Sequence, residues 1–522
     1  MSEISLLHDV LDAAAERWPD RPAVSGPGAT VTYAELRDSS LRLAARLHSE
    51  GVCRGRRLVI SLPSGPLVPA LVFAASRVGA VYTVLHEQVV GVPLEHVLDD
   101  CEPTLVVADD TSVLDTAHAR GITAVPGAEA RDTAFTGTVA PTPSAEPLPA
   151  PLAVDPLSLI YTSGTTSAPK AVVSTHQQAV FAARAIQRAL GYRADDIVYC
   201  PLPLSFDYGL YQLFLGALGG AHVVLGSPAE AGPTLLRNLL ESDATVLAAV
   251  PSVAESLAWL LKRASRRPAL RLVTNTGAAL ATETLNALRA AIPGLKGQVM
   301  FGLTECKRAT IMPPDGDLQR PGSCGLPLPG TEVFTVDEEG NRLPAGETGE
   351  ITVRGPHVMS GYWRRPELNR QRFPLRDGLF PELRTGDYGR LDEDGYLYFS
   401  GRRDDLYKER GFRVSATEVE AAAHRIPEIV SAAVLPPAGK KSALLVVVTG
   451  LEPGTVLERM QDQIEQFKIP RRCVVLDALP LSRNGKVDRK ELTALLEGRD
   501  HHSAAGASPG GGASQSLSSH RS

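Results

Sequence analysis

At 522 residues the chain is too long for one ordinary hydrophobic core and calls for two or more domains. A formal net charge of −6, with 43% hydrophobic and 21% charged residues, is ordinary for a globular protein and gives no support to a nucleic-acid binder, which would favour a basic face. No apolar run is long enough to cross a bilayer and no basic-then-apolar leader follows Met1, so a cytoplasmic protein without a membrane partner is expected. The six cysteines, Cys53, Cys101, Cys200, Cys306, Cys324 and Cys473, form no CxxC pair, which points to a reducing compartment and away from a disulfide frame or a zinc site.

In chain order, Leu7, Val10, Leu11, Ala14 and Trp18 recur at helical spacing. Thr32 and Glu35 form a capping-box pattern that opens a second helix, and Gly51 closes it. Leu58-Val59-Ile60 reads as a buried strand. Leu105-Val106-Val107, Val223-Val224-Leu225, Val246-Leu247-Ala248 and Leu272-Val273 repeat that signal between helical stretches. Strands alternating with helices predict a largely parallel sheet with crossover helices. Residues 130–156, with several Pro, Ala and Thr, predict a surface connection. Beyond Gly401 lies a smaller unit: Ser415 and Glu418 cap a helix, 430–435 and 444–448 read as strands, and another helix precedes Phe467. From Gly498 the chain is Ser, Gly, Ala and His, a disordered tail by composition. The expected fold class is α/β: a large N-terminal domain of layered sheets and helices over 1–400, a small mobile α+β domain over 401–497, and the tail over 498–522.

The most informative stretch is Tyr161-Thr162-Ser163-Gly164-Thr165-Thr166-Ser167-Ala168-Pro169-Lys170, which leaves the apolar run 157–160. Its hydroxyls and small residues let backbone N–H groups approach phosphate oxygens, and Lys170 adds a mobile cation. The GxxxxGK[ST] spacing of a Walker A loop is absent.

This loop resembles that of the AMP-forming acyl-activating enzymes, which include acyl-CoA synthetases, the adenylation domains of peptide synthetases and beetle luciferases. Their loop usually reads Y-T-S-G-T-T-G-x-P-K-G; here Ser167 and Ala171 replace the two later glycines. The resemblance continues in order through Phe301-Gly302-Leu303-Thr304-Glu305, Gly349-Glu350-Ile351, Gly361-Tyr362-Trp363, Arg384-Thr385-Gly386-Asp387, Gly401-Arg402-Arg403-Asp404 and Leu481-Ser482-Arg483-Asn484-Gly485-Lys486. It implies a carboxylate–AMP ligase that releases pyrophosphate and passes the acyl group to a thiol, that of coenzyme A or of carrier-protein phosphopantetheine. A secondary-metabolic role is expected with it.

The resemblance also implies roles. Thr162, Ser163, Gly164, Thr165, Thr166 and Lys170 would hold the ATP phosphates, with Thr166 and Lys170 catalytic. Gly277, Ala278 and Ala279 would bound the adenine and Phe301 would stack on it, within a motif that also supplies Gly302 and Thr304. Asp387 would accept from the ribose hydroxyls, with Arg402 on ribose or phosphate. Glu305 would bind Mg2+, since a hard cation needs few protein oxygens when phosphates supply the rest. Lys486 would stabilise the meeting of two anions at the α-phosphorus. Asp404 would be the hinge of the small domain and Gly411 would line a pantetheine tunnel.

The acid is less legible. Phe206, Asp207, Tyr208 and Tyr211 occupy the expected acid pocket. Asp207 falls where amino-acid-activating relatives hold a substrate ammonium, although it also reads as a loop cap. Cys306-Lys307-Arg308 follows Glu305, and its two cations suit either an acid with a second anionic group or a solvent-facing turn; Arg308 is the candidate reader of that group. The partner is therefore a small carboxylic or amino acid, with a separate carrier protein as a possible second. Three alternatives stay open: a stand-alone amino-acid-activating enzyme, transfer to a non-thiol nucleophile, and a degenerate ATP-binding protein.

Overall fold

The apolar runs that predict one parallel sheet build two in the computed structural model, which describes residues 4–137, 150–162, 169–227, 230, 232–376, 378, 380–402, 406–409, 412–437, 442–464, 466–482 and 487–505. The chain divides into two compact units, Met1–Asp404 and Asp405–Ser522. The division falls a few residues beyond 400 because the strand Leu397–Arg402 pairs along Leu383–Leu391 as far as Arg402 opposite Asp387.

In the nine-stranded sheet of the first unit the strands His222–Leu225, Ile197–Cys200, Val246–Ala249, Leu272–Asn275 and Lys296–Phe301 run parallel. In the six-stranded sheet Thr123–Pro126, Leu105–Ala108, Arg57–Ser61, Val81–Val84 and Pro156–Thr162 do the same. Strands such as Val246–Ala249 are buried at every position, as expected where helices cover both faces of a sheet. One core joins the two sheets, drawing on Leu58 and Ile60, on Val198 and Leu247, and on Phe73 and Phe214 from the helices Leu67–Arg77 and Asp207–Gly219. The capping box of Thr32 and Glu35 opens the helix Tyr33–Ser49, and Gly51 follows it with φ +78°.

The phosphate loop leaves a strand, as its apolar run predicts, and the chain returns as another: Pro156–Thr162 and Lys170–Thr175 form an antiparallel pair with Thr162 opposite Lys170. The connection over 130–156 begins as helix, Gly127–Arg131 continued by a wide turn at Asp132–Thr136, while 138–149 lie outside the described residues.

A third, antiparallel sheet follows: Glu332–Val336, Gly349–Arg354, Leu383–Leu391 and Leu397–Arg402. Leu383–Leu391 alternates, with Leu383, Thr385, Asp387 and Gly389 on the buried face. That period of two turns Asp387 inward. The core behind this face comprises Val333, Ile351, Val353, Leu383 and Leu397 with Phe301, Cys306 and Tyr362.

In the second unit a hairpin, Leu406–Glu409 with Phe412–Ser415, precedes the helix Ala416–His424. The strands Ile429–Leu435, Leu444–Thr449 and Arg472–Val475 form its sheet, over a core that includes Val419, Val434, Leu445 and Val456. The tail expected from 498 overlaps the final helix, Arg489–Ala505, and 506–522 lie outside the described residues.

Two histidines in the first unit are buried as neutral rings. His176 Nδ1 accepts from Leu7 N–H at 3.2 Å, satisfying one orphan donor of the first helix, while its Nε2 has no partner among the described residues. The same holds for both nitrogens of His357. Burial lowers both to about 4; for His176 the neighbouring His8 lowers it further, against Asp155 and Asp9. Both rings take up protons more readily unfolded than folded. Their contribution is therefore complete above pH 6.5 and is lost as pH falls toward about 4. We expect each ring to account for a loss on the order of 3 kcal/mol across that window. His357→Leu should flatten the fall of Tm between pH 6.5 and 4; a slope equal to that of the parent protein would reject this origin.

Candidate active site

Lys170 opens the strand that returns from the phosphate loop, and its Nζ lies 4.3 Å from the centroid of the Tyr362 ring. Partial burial lowers its pKa, with Arg372 and Arg402 acting in the same direction and Glu305 opposing. Thr162, across the pair, directs its hydroxyl to the Lys170 carbonyl at 3.4 Å. Ser163, Gly164, Thr165 and Thr166 lie outside the described residues, as do Asp404, Gly411 and Lys486.

Glu305 sits on the return between the strands Lys296–Phe301 and Thr310–Ile311. The return is tight: Cys306 N–H donates to Leu303 and Ala309 N–H to Phe301. Gly302 is required there, because a Cβ would lie 2.3 Å from the Lys307 carbonyl oxygen. Glu305 is buried and accepts from the Tyr362 hydroxyl at 2.5 Å. Burial, with the Glu305 charge beside it, pushes the Tyr362 hydroxyl far above its ordinary range, so it remains a donor at neutral pH. Phe301 packs its ring against Phe399, centroids 5.6 Å apart. Thr304 is half-buried beside Glu305. Gly277, with φ +93°, and the exposed Ala278 and Ala279 follow the C-terminal end of the strand Leu272–Asn275, where parallel sheets place ligands.

Asp387 accepts from Arg402 Nε at 3.1 Å. Arg372 sits against the same turn, donating to the Thr385 carbonyl at 2.7 Å. Burial raises the Asp387 carboxyl to about 6, against the lowering effect of Arg402 and Arg372 and with help from Glu305. Glu305 thus acts electrostatically on Lys170, Tyr362, Asp387 and Lys307, which marks one shared charged centre.

The second cluster lies beside it. Asp207 begins the helix Asp207–Gly219 and is 3% exposed. Arg308 Nη1 meets Asp207 Oδ2 at 3.5 Å and donates to the Lys307 carbonyl at 2.6 Å. Its guanidinium lies 4.7 Å from the Tyr208 ring centroid. Tyr208 supports this platform from below, its hydroxyl held by the Thr274 carbonyl and Oγ1 at 2.8 and 2.7 Å, and Phe206 stands edge-on to it. Lys307 and Arg308 are 1% and 4% exposed, so the solvent-facing turn is ruled out. Lys307 adopts a left-handed φ of +62° that carries its side chain inward, to 5.5 Å from the Tyr211 ring. Among the described residues, Lys307 Nζ, Arg308 Nε and the Tyr211 hydroxyl are buried donors without hydrogen-bond partners. Burial lowers the Lys307 pKa, aided by Arg308, while Asp207 and Glu305 oppose it.

Sequence reasoning assigned no role to Tyr362 or Arg372. Tyr362 stood inside a recognised Gly-Tyr-Trp motif, but the acid it touches is 57 positions away. Arg372 is one of several arginines in its segment and carried no signal.

Asp387 holds a charge where burial disfavours it. Its folded pKa, about 6, lies above the ordinary 3.8, so the penalty is complete above pH 6 and disappears as pH falls toward 3.8. Asp387→Asn should therefore stabilise the free protein at pH 7.5 by on the order of 2 kcal/mol, with the gain vanishing near pH 4. Thermal melts of both proteins across that range measure it, and a gain that grows toward low pH would contradict the assignment.

Residues 11–363 match the family described as AMP-binding enzyme, and residues 418–486 match the AMP-binding enzyme C-terminal domain. A salicylyl-CoA synthase / salicylate adenylyltransferase from Streptomyces sp. is 30% identical over 528 residues, covering 93% of this chain and 92% of that protein. VinN, solved with L-aspartate, is 41% identical with a TM-score of 0.68, covering 76% of this chain and 98% of that one. The o-succinylbenzoate coenzyme A synthetase MenE from Bacillus subtilis, solved with ATP and a magnesium ion, is 27% identical with a TM-score of 0.79, covering 93% and 99%. With both domain families matched in order and the fold shared with solved relatives, the chain belongs to the AMP-binding enzymes, the ATP-dependent, AMP-forming acid ligases that include acyl-CoA synthetases and peptide-synthetase adenylation domains.

Proposed function

We propose that this ligase activates a small amino dicarboxylic acid of the aspartate kind and transfers it to the thiol of coenzyme A or of a carrier protein's pantetheine. The observation that carries the substrate class is the buried Lys307 side chain, which has no hydrogen-bond partner among the described residues and is set beside Arg308, Asp207 and Tyr211. A buried cation without a partner is costly, and a second substrate carboxylate would complete it. Asp207 supplies the complementary charge for an ammonium group. The structure of VinN with L-aspartate supports this reading, because that relative shares more sequence with this chain than the other two described above.

Glu305 fits a magnesium ion. It offers one buried carboxylate whose Oε1 is fixed by Tyr362, and among the described residues no cluster of three ligating side chains surrounds it. That suits an ion taking most of its ligands from phosphates and water, where it would neutralise phosphate charge. A substrate carboxylate oxygen attacks the α-phosphorus and the bond to the β-phosphate oxygen breaks, releasing pyrophosphate. The thiol sulfur, having lost its proton, then attacks the acyl carbon and AMP leaves. Lys170 faces the phosphates, Asp387 and Arg402 hold the ribose, and Lys486 brings positive charge to the meeting of the two anions. Asp404 as hinge and Gly411 in the thiol path rest on the family motifs.

ATP–pyrophosphate exchange should be faster with L-aspartate than with L-alanine, succinate or salicylate; preference for a monoanionic acid would reject the substrate class. Lys307→Met should raise the KM for that acid at least tenfold, leave the KM for ATP within twofold, and increase thermal stability, because an unpartnered buried charge is removed at similar side-chain volume. A lower Tm with unchanged acid selectivity would make Lys307 a structural residue. Arg308→Ala should relax discrimination toward neutral analogues at a cost of roughly 2–5 kcal/mol in binding, with circular dichroism confirming that the fold survives the unpaired Asp207. Lys486→Ala should remove adenylation, by on the order of 3 kcal/mol or more, and spare transfer from synthetic acyl-AMP; equal loss of both half-reactions would contradict its role.

A further inference from the structure

Tyr362 touches both charged groups expected at the ATP phosphates, and its surroundings fix it in that position. The segment 360–363 runs along the strand that returns from the phosphate loop: Ser360 N–H donates to Val173, Val173 N–H to Gly361, and Trp363 N–H to Ala171. The side-chain amide of Asn369 clamps the backbone of Tyr362 from the other side, accepting from its N–H at 2.7 Å and donating to its carbonyl at 3.0 Å. Phe373 stands edge-on to the ring at 5.6 Å. The ring is 2% exposed and fixed by these contacts before any ligand arrives.

From this fixed position the side chain does two things. Its hydroxyl donates to Glu305 Oε1 at 2.5 Å, which fixes the orientation of that carboxyl group. Its face carries the Lys170 ammonium, 4.3 Å from the centroid. Glu305 and Lys170 are opposite charges in one partly dry site. Left to themselves they would close into an ion pair, and such a pair would have to be broken before a metal ion or a phosphate could bind. No ion pair joins them among the described residues: Glu305 is held at the hydroxyl edge of the Tyr362 ring and Lys170 lies over its face.

We propose that Tyr362 is a positioning residue for adenylation: its hydroxyl orients Glu305 toward the metal, and its ring holds Lys170 apart from Glu305 and available to the phosphates. This rests on the reading of Glu305 as metal ligand, and the experiment separates the two. Hydrogen-bond partners of metal-binding side chains typically govern metal affinity by about 10–100-fold.

The probe is Mn2+, titrated by electron paramagnetic resonance into the full-length protein with α,β-methylene-ATP, which cannot release pyrophosphate. Glu305→Gln and Tyr362→Phe are each expected to weaken Mn2+ binding about tenfold or more, with metal-free nucleotide affinity within twofold of the parent. Tyr362→Phe retains the ring, so the preference for ATP over AMP should be unchanged. Tyr362→Leu removes the ring as well, and that preference should fall. Adding Lys170→Met to Tyr362→Leu should recover part of the Mn2+ affinity, because the collapsed ion pair can no longer form. If Glu305→Gln weakens Mn2+ binding and Tyr362→Phe does not, the hydroxyl has no positioning role and the proposal fails while the metal reading stands. If Glu305→Gln also binds Mn2+ like the parent protein, the metal reading fails first. If the double variant recovers nothing, the role of the ring as spacer is rejected. Tyr362→Phe differs by a single oxygen, so the central comparison does not depend on whether Tyr362→Leu folds.

Discussion

Main-chain hydrogen bonds between segments far apart in sequence hold the site in one piece. The strand Lys170–Thr175 pairs through Ala171 and Val173 with 360–363, and Met359 N–H donates to the carbonyl of Glu305. Together they tie the six-stranded sheet, the Glu305 return and the loop that follows the strand Gly349–Arg354 into a single frame. Every polar contact at the centre is measured from that frame, because side chains placed on fixed strands carry less positional freedom than side chains on loops. Loss of this pairing would release Tyr362, Glu305 and Lys170 together.

The frame concentrates charge where burial opposes it. Asp387 is turned inward by strand alternation, so a carboxylate sits among Leu383, Thr385 and the Arg372 and Arg402 cations. Lys307 is carried inward by a left-handed backbone, at a position where a non-glycine residue is strained. Neither arrangement favours folding of the free chain. Under the proposed function a ribose hydroxyl pair and a substrate carboxylate would supply the missing partners, and the hydrophobic core joining the two parallel sheets offsets the cost. Binding then gains from groups that need no reorganisation at the moment of reaction.

The two charged clusters divide the work by position on the same return. Glu305 faces the Lys170 and Asp387 centre. Lys307 and Arg308, only two and three residues later, face Asp207 and Tyr211. The segment turns sharply at Gly302 and Lys307, so a short stretch presents Glu305 to one cluster and Lys307 and Arg308 to the other. Under the proposed function, substitution at 307 and 308 would alter acid selection without replacing Glu305.

The sequence alone determined the family, the order of its motifs and most elements, since these rest on contiguous residues with strong local signals. Thr32 and Glu35 announced their helix, and the run from Val246 its buried strand. Phe301, Glu305, Asp387 and Lys486 could be proposed for roles because each stands inside a contiguous family motif. The tertiary structure decided what depends on distant partners. It split the parallel strands between two sheets, since strand type is local but pairing is not. It buried Lys307 and Arg308, whose bare sequence reads equally well as a solvated turn. It gave Tyr362 its two charged neighbours, one 57 residues away and the other across a strand pair. Hydrophobic period and capping are written along the chain, whereas the field and hydrogen bonds felt by an ionisable group are set by whatever folding brings within a few ångströms of it.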